Sequence, residues 1–178
     1  MKIILSFMLM SWMLLLSCES INCHKPDFSS SLNDDPWDGY VKSCDLDITS
    51  LNNDSVFRFI VMESKPIHDK FKDILLVSRI PFQEGQYFID SLNKDSGVIA
   101  QFWVNEHEYG TQTDTYFAIP LSGSFIEVEE IDLQSNSFVV KFHLEMSVRG
   151  GIDGELHNST YDKFITFSDG HVSGEFED

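Results

Sequence analysis

The sequence predicts an all-β domain, most simply an antiparallel β-sandwich of about 8 to 10 strands. From Trp37 onward, short runs rich in Val, Ile, Phe, Tyr and Trp alternate with clusters of Gly, Asn, Asp and Ser, a pattern typical of strands joined by turns. Several runs also alternate apolar with polar residues at every second position, as in a half-buried strand. A closed β-barrel satisfies the same pattern, so the sequence leaves that alternative open.

The first 17 residues have the layout of a secretory signal. Lys2 supplies one positive charge, and Ile3 to Leu16 is apolar apart from two serines, which matches the n-region and h-region of such a signal. A membrane-spanning helix needs about 20 apolar residues, so this run is too short to remain as an anchor. We therefore expect residues 1–17 to form a signal helix that is removed.

A cysteine follows the apolar run directly, in the tetrapeptide Leu15-Leu16-Ser17-Cys18. This tetrapeptide resembles the bacterial lipobox, in which a leucine lies three places before the cysteine that receives the lipid. The resemblance implies a diacylglyceryl group on the thiol of Cys18 and cleavage before that residue. Two or three acyl chains anchor a protein stably, whereas one chain holds it only marginally. An ordinary secretory signal cut near Ser20 is the alternative.

Residues 18–37 are predicted to be a flexible tether. The segment from Glu19 to about Trp37 is rich in Ser, Asn, Asp and Pro and has few large apolar side chains, so it cannot bury enough surface to fold by itself. A flexible coil of about 19 residues spans on the order of 25 Å. Residues 38–178 then form one β domain, which is long enough to bury a substantial core.

Periodicity predicts the individual strands. Val56 to Met62, Ile74 to Ile80 and Ile99 to Val104 are apolar on both faces or nearly so, as expected of central strands that are covered on both sides. In Ser137 to Met146 the apolar residues alternate with charged ones, which predicts one buried face and one solvent-exposed face.

Turn residues predict how the last strands are connected. The polar run from Asp132 to Asn136 predicts a hairpin turn between two strands. Ser168-Asp169-Gly170-His171 predicts a second hairpin turn close to the C-terminus. Outside the strands, Pro66 at a first turn predicts at most one short helix, near Lys65 to Lys72.

The C-terminal third resembles a pattern found in uncharacterised lipoproteins of the Bacteroidota. A strand that ends in Ile131-Asp132 precedes the long amphipathic strand Phe138 to Met146, and the chain closes on Thr166 to Phe176, with a Ser-Asp-Gly turn and a Phe-containing strand. Further upstream, Gln83 to Tyr87 resembles the Gly-x-Tyr strand start of the same pattern. The resemblance covers about two thirds of residues 18–178 and implies a lipid-anchored, β-rich domain, with no catalytic residue to carry over.

The charge of the chain limits its partners. Its formal net charge is −17 at pH 7, which repels phosphate backbones and anionic headgroups. A nucleic-acid partner is therefore not expected, and contact with the membrane is expected through the lipid on Cys18. The remaining candidates for a partner are an envelope protein and a glycan.

Setting Cys18 aside for the lipid leaves Cys23 and Cys44 as a pair. Outside the cytoplasm a disulfide is allowed, and closing a loop of about 22 residues contributes roughly 3 kcal/mol in the chain-entropy model. Because Cys23 lies in the predicted tether, the sequence leaves open whether the two thiols meet.

No residue pattern predicts catalysis, a metal or a cofactor. The chain has no Gly-x-Ser-x-Gly motif, and none of its six histidines has metal-ligand spacing to another His or Cys. Four aromatic residues in or beside turn-rich segments are candidates for an exposed sugar- or peptide-binding patch, namely Trp37, Tyr40, Tyr109 and Tyr116. Burial at the edges of the core is the alternative for these four.

Together these observations predict a lipid-anchored protein of the bacterial cell envelope with a non-catalytic binding or interaction domain. Acidic residues after Glu19-Ser20 are compatible with sorting to the outer membrane. A small-ligand carrier built as a closed β-barrel is one alternative function. An enzyme that acts on glycans is the other, although an enzyme is the less favoured class.

Overall fold

The computed structural model describes residues 23–48, 55–64, 71–89, 97–106, 111–119, 122–132, 134–148 and 161–176. Within these ranges the regular structure is eleven strands and no helix, which confirms the all-β prediction. The strands are β1 (Cys23–Leu32), β2 (Asp35–Pro36), β3 (Gly39–Ile48), β4 (Ser55–Glu63), β5 (Phe71–Pro81), β6 (Gly85–Phe88), β7 (Ile99–Glu106), β8 (Thr111–Ala118), β9 (Phe125–Asp132), β10 (Ser137–Val148) and β11 (Phe164–Phe176).

All eleven strands belong to one sheet, and every pair of neighbours is antiparallel. The main path runs β2-β1-β11-β10-β8-β7-β5-β4-β3. The sheet forks at β10, because Ser137–His143 pairs with β9 while Met146–Val148 pairs with β8. β9 also pairs with β6, so these two strands form a short branch beside the main path.

The sheet curls until β1 and β3 come together. A disulfide bond joins Cys23 on β1 to Cys44 on β3, and the two Cα atoms are 4.9 Å apart. The backbone N–H of Trp37 donates to the carbonyl oxygen of Ser30 at 2.9 Å, which ties the connection between β2 and β3 to β1. The result is a curled half-barrel, an arrangement that lies between the sandwich and the closed barrel left open by the sequence.

The inner face of the curled sheet is the core. Along β10 every second residue from Phe138 to Met146 is buried, as the predicted buried face requires. Aromatic rings fill the space that the curl encloses: Trp37 makes edge contacts with Phe102 and Phe167, with ring centroids 5.9 and 5.2 Å apart. Such contacts add a specific geometry to the burial of apolar area.

The predicted tether is wrong from Cys23 onward. Residues 23–32 form β1, which pairs with β11 along its length, and Trp37 is only 6% exposed. Pro26 is accommodated because the register of the ladder shifts between His24 and Asp27, a position where a missing N–H is tolerated. β1 is held by backbone hydrogen bonds to the last strand of the chain, so local composition could not reveal it.

The predicted second hairpin turn is also wrong, because β11 runs unbroken from Phe164 to Phe176. Ser168 to His171 instead lie where the ladder to β10 shifts register, and Asp169 has a φ of 51°, which indicates a β-bulge. Gly170 packs against the ring of Phe142, where an added Cβ would be 2.3 Å from a ring carbon. The residues that resemble a turn therefore serve a bulge and a close packing contact.

The first predicted turn is confirmed, since β9 ends at Asp132 and β10 begins at Ser137. Most of the predicted short helix, residues 65–70, lies outside the described residues, while Phe71 and Lys72 belong to β5. The predicted signal helix and Cys18 also lie outside the described ranges. Within those ranges no helix is long and apolar enough to cross a membrane.

Candidate functional site

A groove of about 410 Å³ crosses the outer face of β9, β10 and β11. Its volume lies in the range of small-molecule binding sites. Its lining combines aromatic, charged and imidazole side chains from three paired strands, namely Phe125, Glu127, Lys141, Phe142, His143, Asp169, Gly170 and His171. We refer to this feature as the outer groove.

The register of the strands arranges outward side chains of the groove, and of β6 beside it, in two rows. Directly paired residues point to the same side of a sheet. Phe88, Phe125 and His143 are successive partners across β6, β9 and β10, and they form an aromatic row. The adjacent polar row consists of Gln86, Glu127, Lys141 and His171.

The aromatic row offers flat apolar surface to solvent. Phe88 is 70% exposed. The rings of Phe125 and His143 are stacked, with centroids 6.2 Å apart and planes inclined by 26°. Nε2 of His143 lies 3.7 Å from Oε1 of Glu145. Exposed aromatic groups with polar neighbours are typical of binding surfaces.

The polar row and its neighbours carry charges of both signs, with carboxylates in excess. The ammonium of Lys141 donates to Oε1 of Glu129 at 2.5 Å. That hydrogen bond, the charge of Glu129 and the nearby charge of Glu127 raise the pKa of Lys141. Glu127 and Asp169 place two carboxylates against this one ammonium in the lining. The outer groove therefore presents both hydrogen-bond donors and acceptors without an excess of positive charge.

The bulge in β11 brings Asp169 into the outer groove. A bulge inserts an extra residue into one strand and changes the direction of its side chains. Asp169 is exposed, whereas its neighbour Gly170 is buried against Phe142. The close contact between Gly170 and Phe142 thus helps to fix the floor of the groove.

A second polar cluster lies on the inner face of the sheet. Glu63 on β4, Asp73 on β5 and Asp114 on β8 are 5%, 2% and 3% exposed. The ladder pairs Asp73 with Val104 and Val104 with Asp114, so the two aspartates belong to one row across the sheet. We refer to these three residues, with Tyr116 and Tyr161, as the inner acidic cluster.

Asp73 is the distinctive member of the inner acidic cluster. The hydroxyl of Tyr161 donates a hydrogen bond to Oδ2 of Asp73, while Oδ1 is buried and has no hydrogen-bond partner. Burial raises the pKa of Asp73 to about 6, an effect that the hydrogen bond from Tyr161 opposes in part. The carboxyl group of Asp73 can therefore take up a proton under mildly acidic conditions.

The two tyrosines of the cluster remain neutral hydrogen-bond donors. Burial raises the pKa of both Tyr116 and Tyr161, and the negative charge of Asp73 adds to both shifts. The Tyr116 hydroxyl donates to the carbonyl oxygen of Asp162 at 3.1 Å. Among the described residues, no group of three or more His, Cys, Asp or Glu is arranged to hold a metal ion.

The predicted aromatic patch is wrong for two of its four residues. Trp37 and Tyr116 are core residues, 6% and 1% exposed, because the sheet curls around them. Tyr40 on β3 is 44% exposed, and Tyr109 lies outside the described residues. These four residues therefore do not form one exposed surface.

The sequence predicted the exposed face of β10, on which His143 lies, but it did not reveal the outer groove or the inner acidic cluster. The groove depends on which strands flank β10: the predicted hairpin turn placed β9 on one side, but no pattern placed β11 on the other. The inner cluster did leave a local signal. Asp73 falls at a position in phase with the buried residues Leu75 and Val77, where an acidic residue is unexpected.

Comparison of the chain with protein-family models, with curated proteins and with solved structures gives no match.

Proposed function

We propose that the chain is a lipid-anchored protein of the bacterial cell envelope, at the outer membrane, whose β domain is a non-catalytic domain that binds a glycan in the outer groove. The observation that carries the proposal is the pairing of an aromatic row with a polar row along one groove. An apolar wall with a few placed polar groups is the usual composition of a binding site for a small ligand.

The anchor is supported by the sequence around Cys18. The cysteine stands where the apolar run ends and a polar segment begins, which is where a signal cleavage site is expected. A chain with a net charge of −17 gains no electrostatic attraction to anionic headgroups. Covalent lipid is the means of attachment that remains compatible with this charge.

A glycan fits the outer groove better than a charged ligand. Each sugar hydroxyl both donates and accepts hydrogen bonds, and the ammonium of Lys141, the carboxylates of Glu127 and Asp169 and the imidazoles supply both kinds of partner. The C–H faces of a sugar ring are apolar and suit flat aromatic surface such as that of Phe125. The carboxylates of the lining disfavour a polyanion.

A glycan also fits better than an extended peptide. Peptides commonly bind to sheets by adding a strand to a free edge, where backbone N–H and C=O groups are unpaired. The outer groove lies over the face of three strands whose backbone groups already pair with one another. Recognition there must use side chains, which favours a ligand rich in hydroxyl groups.

The two alternative functions receive less support. A carrier needs an interior cavity, but aromatic side chains such as Phe57, Phe102 and Phe167 fill the described interior. A glycan hydrolase uses a carboxylic acid with a raised pKa next to the substrate. Asp73 has such a pKa, but it lies on the inner face and not in the outer groove.

The anchor is tested by the substitution Cys18→Ala in cells that produce the full chain. We expect the native protein to fractionate with membranes and the variant to appear in the soluble fraction, because the thiol that would carry lipid is gone. The Lys25→Ala variant, which keeps Cys18, is the control. Retention of the Cys18→Ala protein in the membrane fraction would contradict lipid anchoring.

The binding function is tested by affinity electrophoresis of the detergent-solubilised protein in gels that contain a neutral polysaccharide. Glucan, mannan and galactan are the neutral probes, and dextran sulfate is the anionic one. We expect at least one neutral polysaccharide to retard the native protein and not the Phe125→Ala variant. Phe164→Ala is the matched control, because Phe164 is 68% exposed but does not line the groove.

Equal retardation of the native protein and of Phe125→Ala would remove the outer groove from the proposal. Retardation by dextran sulfate alone would contradict the charge argument. If no polysaccharide retards the native protein, glycan binding is wrong.

A further inference from the structure

The outer face of β3, β4, β5, β7 and β8 carries two mainly apolar rows of side chains, which end on the uncharged polar residues Ser43 and Thr115. Cross-strand pairing arranges its side chains in two neighbouring rows. The first row consists of Tyr40, Met62, Ile74 and Trp103, and the second of Ile60, Leu76, Gln101 and Phe117. We refer to these eight residues as the apolar face.

No member of the apolar face is charged, whereas the outer face of β9, β10 and β11 carries Glu127, Glu129, Lys141, Glu145 and Glu175. Six of the eight are partly exposed, and Tyr40 is 44% exposed. Met62 is buried, and its sulfur lies 3.9 Å from the hydroxyl oxygen of Tyr40. The protein thus concentrates outward apolar groups in these two rows, and the next row on β3 and β4 carries the ion pair between Arg58 and Asp45.

These strands have the sequence of strands covered on both faces. Their inner side chains are covered by the core, but the described strands belong to a single sheet, so no second sheet among them covers the outer side. Leaving apolar area in water costs about 25 cal/mol per Å², and a contiguous apolar patch usually marks a surface that is covered in the working protein.

The part of the apolar face on β3 and β4 lies across the curled sheet from the outer groove, while Phe117 at its other end pairs with Ser147 on β10. Along the main path, β10 and β4 are separated by β8, β7 and β5. In the other direction they are separated by β11, β1 and β3, where the Cys23–Cys44 disulfide joins the two ends of the curl. A surface centred on β3, β4 and β5 therefore leaves the outer groove accessible.

The chain between the proposed lipid and the domain is short. Cys23 is already part of β1 and is covalently bound to β3, the strand that carries Tyr40 of the apolar face. Only five peptide links, from Cys18 to Cys23, separate the lipid from this disulfide bond. Fully extended, they span at most about 18 Å. A domain on so short a connection is held at the bilayer surface.

We propose that the domain lies on the membrane with the apolar face against the boundary between headgroups and acyl chains, so that the outer groove faces away from the bilayer. This inference rests on the lipid anchor of the proposed function. Tyr and Trp favour that boundary because they combine an apolar ring with a polar group.

Trp103 is a natural probe of this arrangement. Residues 18–178 contain two tryptophans, of which Trp37 is buried in the core and Trp103 belongs to the apolar face. The full protein is reconstituted in vesicles of phosphatidylethanolamine and phosphatidylglycerol that contain brominated phosphatidylcholine, whose bromine quenches nearby indole. We expect most of the Trp103 emission to be lost in vesicles with brominated lipid and retained in vesicles without it.

Two variants assign the quenching to the correct side of the domain. Trp103→Phe should lose the response, because the emission that remains comes from Trp37 in the core. Adding Phe125→Trp to Trp103→Phe places an indole in the outer groove, and its emission should not respond to brominated lipid.

A charge on the apolar face supplies a second readout. Ile60→Glu should weaken the quenching of Trp103, because burying the carboxylate in the bilayer boundary is unfavourable. Val139→Glu is the matched control, since Val139 is a partly exposed β-branched residue on the opposite outer face of β10. Val139→Glu should leave the quenching unchanged.

Flotation of the vesicles separates the two proposals. If the protein floats with the vesicles but brominated lipid does not quench Trp103, the lipid anchor stands and the membrane-facing orientation is wrong. If the protein does not float, the anchor and the orientation both fail. In a third outcome, Trp103 is protected from aqueous acrylamide but is not quenched by lipid, and dimers can be cross-linked. This outcome would show that a second copy covers the apolar face, and it would overturn the inference.

Discussion

The hydroxyl of Tyr161 donates a hydrogen bond to the carboxylate of Asp73, a residue 88 positions earlier in the chain. The bond joins the start of the last described segment to β5 inside the curl of the sheet. It satisfies one oxygen of a carboxyl group that burial makes costly to ionise, and it leaves the other oxygen without a partner. Among the described residues, Asp73 is consequently one through which pH acts directly on the stability of the fold.

Stability is expected to fall as the pH rises from about 4 to about 6. The pKa of Asp73 is about 6 in the folded protein and 3.8 in its ordinary state, so in this window the unfolded chain has lost a proton that the folded protein keeps. The shift corresponds to a contribution on the order of 3 kcal/mol to the free energy of unfolding. This contribution is present in full below the lower pKa and is lost above the higher one. Urea denaturation from pH 4 to pH 8 measures the effect.

The substitution Asp73→Asn isolates this effect from the other acidic residues. Asn can still accept the hydrogen bond from Tyr161, but it cannot ionise. We therefore expect the difference in the free energy of unfolding, variant minus native, to grow in favour of the variant between pH 4 and pH 6. Glu63 and Asp114 face the same interior and remain in both proteins. A difference that does not change with pH would contradict the assignment to Asp73.

Tyr161→Phe is expected to destabilise the protein by about 1 to 3 kcal/mol at pH 7, because it leaves a buried carboxylate without its hydrogen-bond donor. It should also raise the pKa of Asp73 further, since the lost bond favours the ionised form. NMR titration of the carboxyl carbons measures this pKa, and denaturation measures the stability. A purely steric role for Tyr161 would leave the midpoint of the Asp73 titration unchanged.

Removing the disulfide is expected to destabilise the protein by roughly 3 kcal/mol. The bond joins residues 21 positions apart in sequence and closes the curl between β1 and β3, which have no ladder of their own among the described strands. The double variant Cys23→Ser with Cys44→Ser and the reduced native protein should show similar losses in urea. Reductant should leave the stability of the double variant unchanged. If reductant lowers the stability of both proteins equally, the loss has a cause other than the disulfide bond.

Gly170→Ala is expected to cost about 1 to 3 kcal/mol, because overpacking a filled core forces side chains from their positions. The new Cβ would lie 2.3 Å from the ring of Phe142, which itself packs against Phe28 and Phe59. A smaller side chain at position 142 should relieve the clash. In a double-mutant cycle, Phe142→Leu should therefore reduce the cost of Gly170→Ala, and strict additivity would show that the two residues do not interact in this way.

The fold class was predictable because alternation of apolar and polar residues reports directly on a strand with one buried face. In β10 the buried residues are those that the period of two selects, from Phe138 to Met146. Prediction was wrong where a neighbour in space determines the structure. The run from Ser168 to His171 has the composition of a turn, but pairing with β10 and the ring of Phe142 make it a bulge in a continuous strand.

The candidate sites were less predictable than the strands. The aromatic row takes its residues from β6, β9 and β10, and the polar row takes its residues from those strands and from β11. Apart from the hairpin turn between β9 and β10, no local pattern states which of these strands are neighbours. The same limit applies to Trp37, which follows a polar segment in sequence yet lies among Phe28, Phe102 and Phe167.

By itself the sequence determined that the chain is β-rich and acidic and which face of β10 is buried, because these properties depend on composition and on local periodicity. Only the tertiary structure decided that Cys23 belongs to the domain, that Asp73 meets Tyr161, and that the outer groove and the apolar rows lie on different strands of one sheet. These features depend on which strands pair and on how far the sheet curls. Pairing between strands distant in sequence is settled by burial and backbone hydrogen bonding over the whole domain, so a local stretch of sequence cannot reveal it.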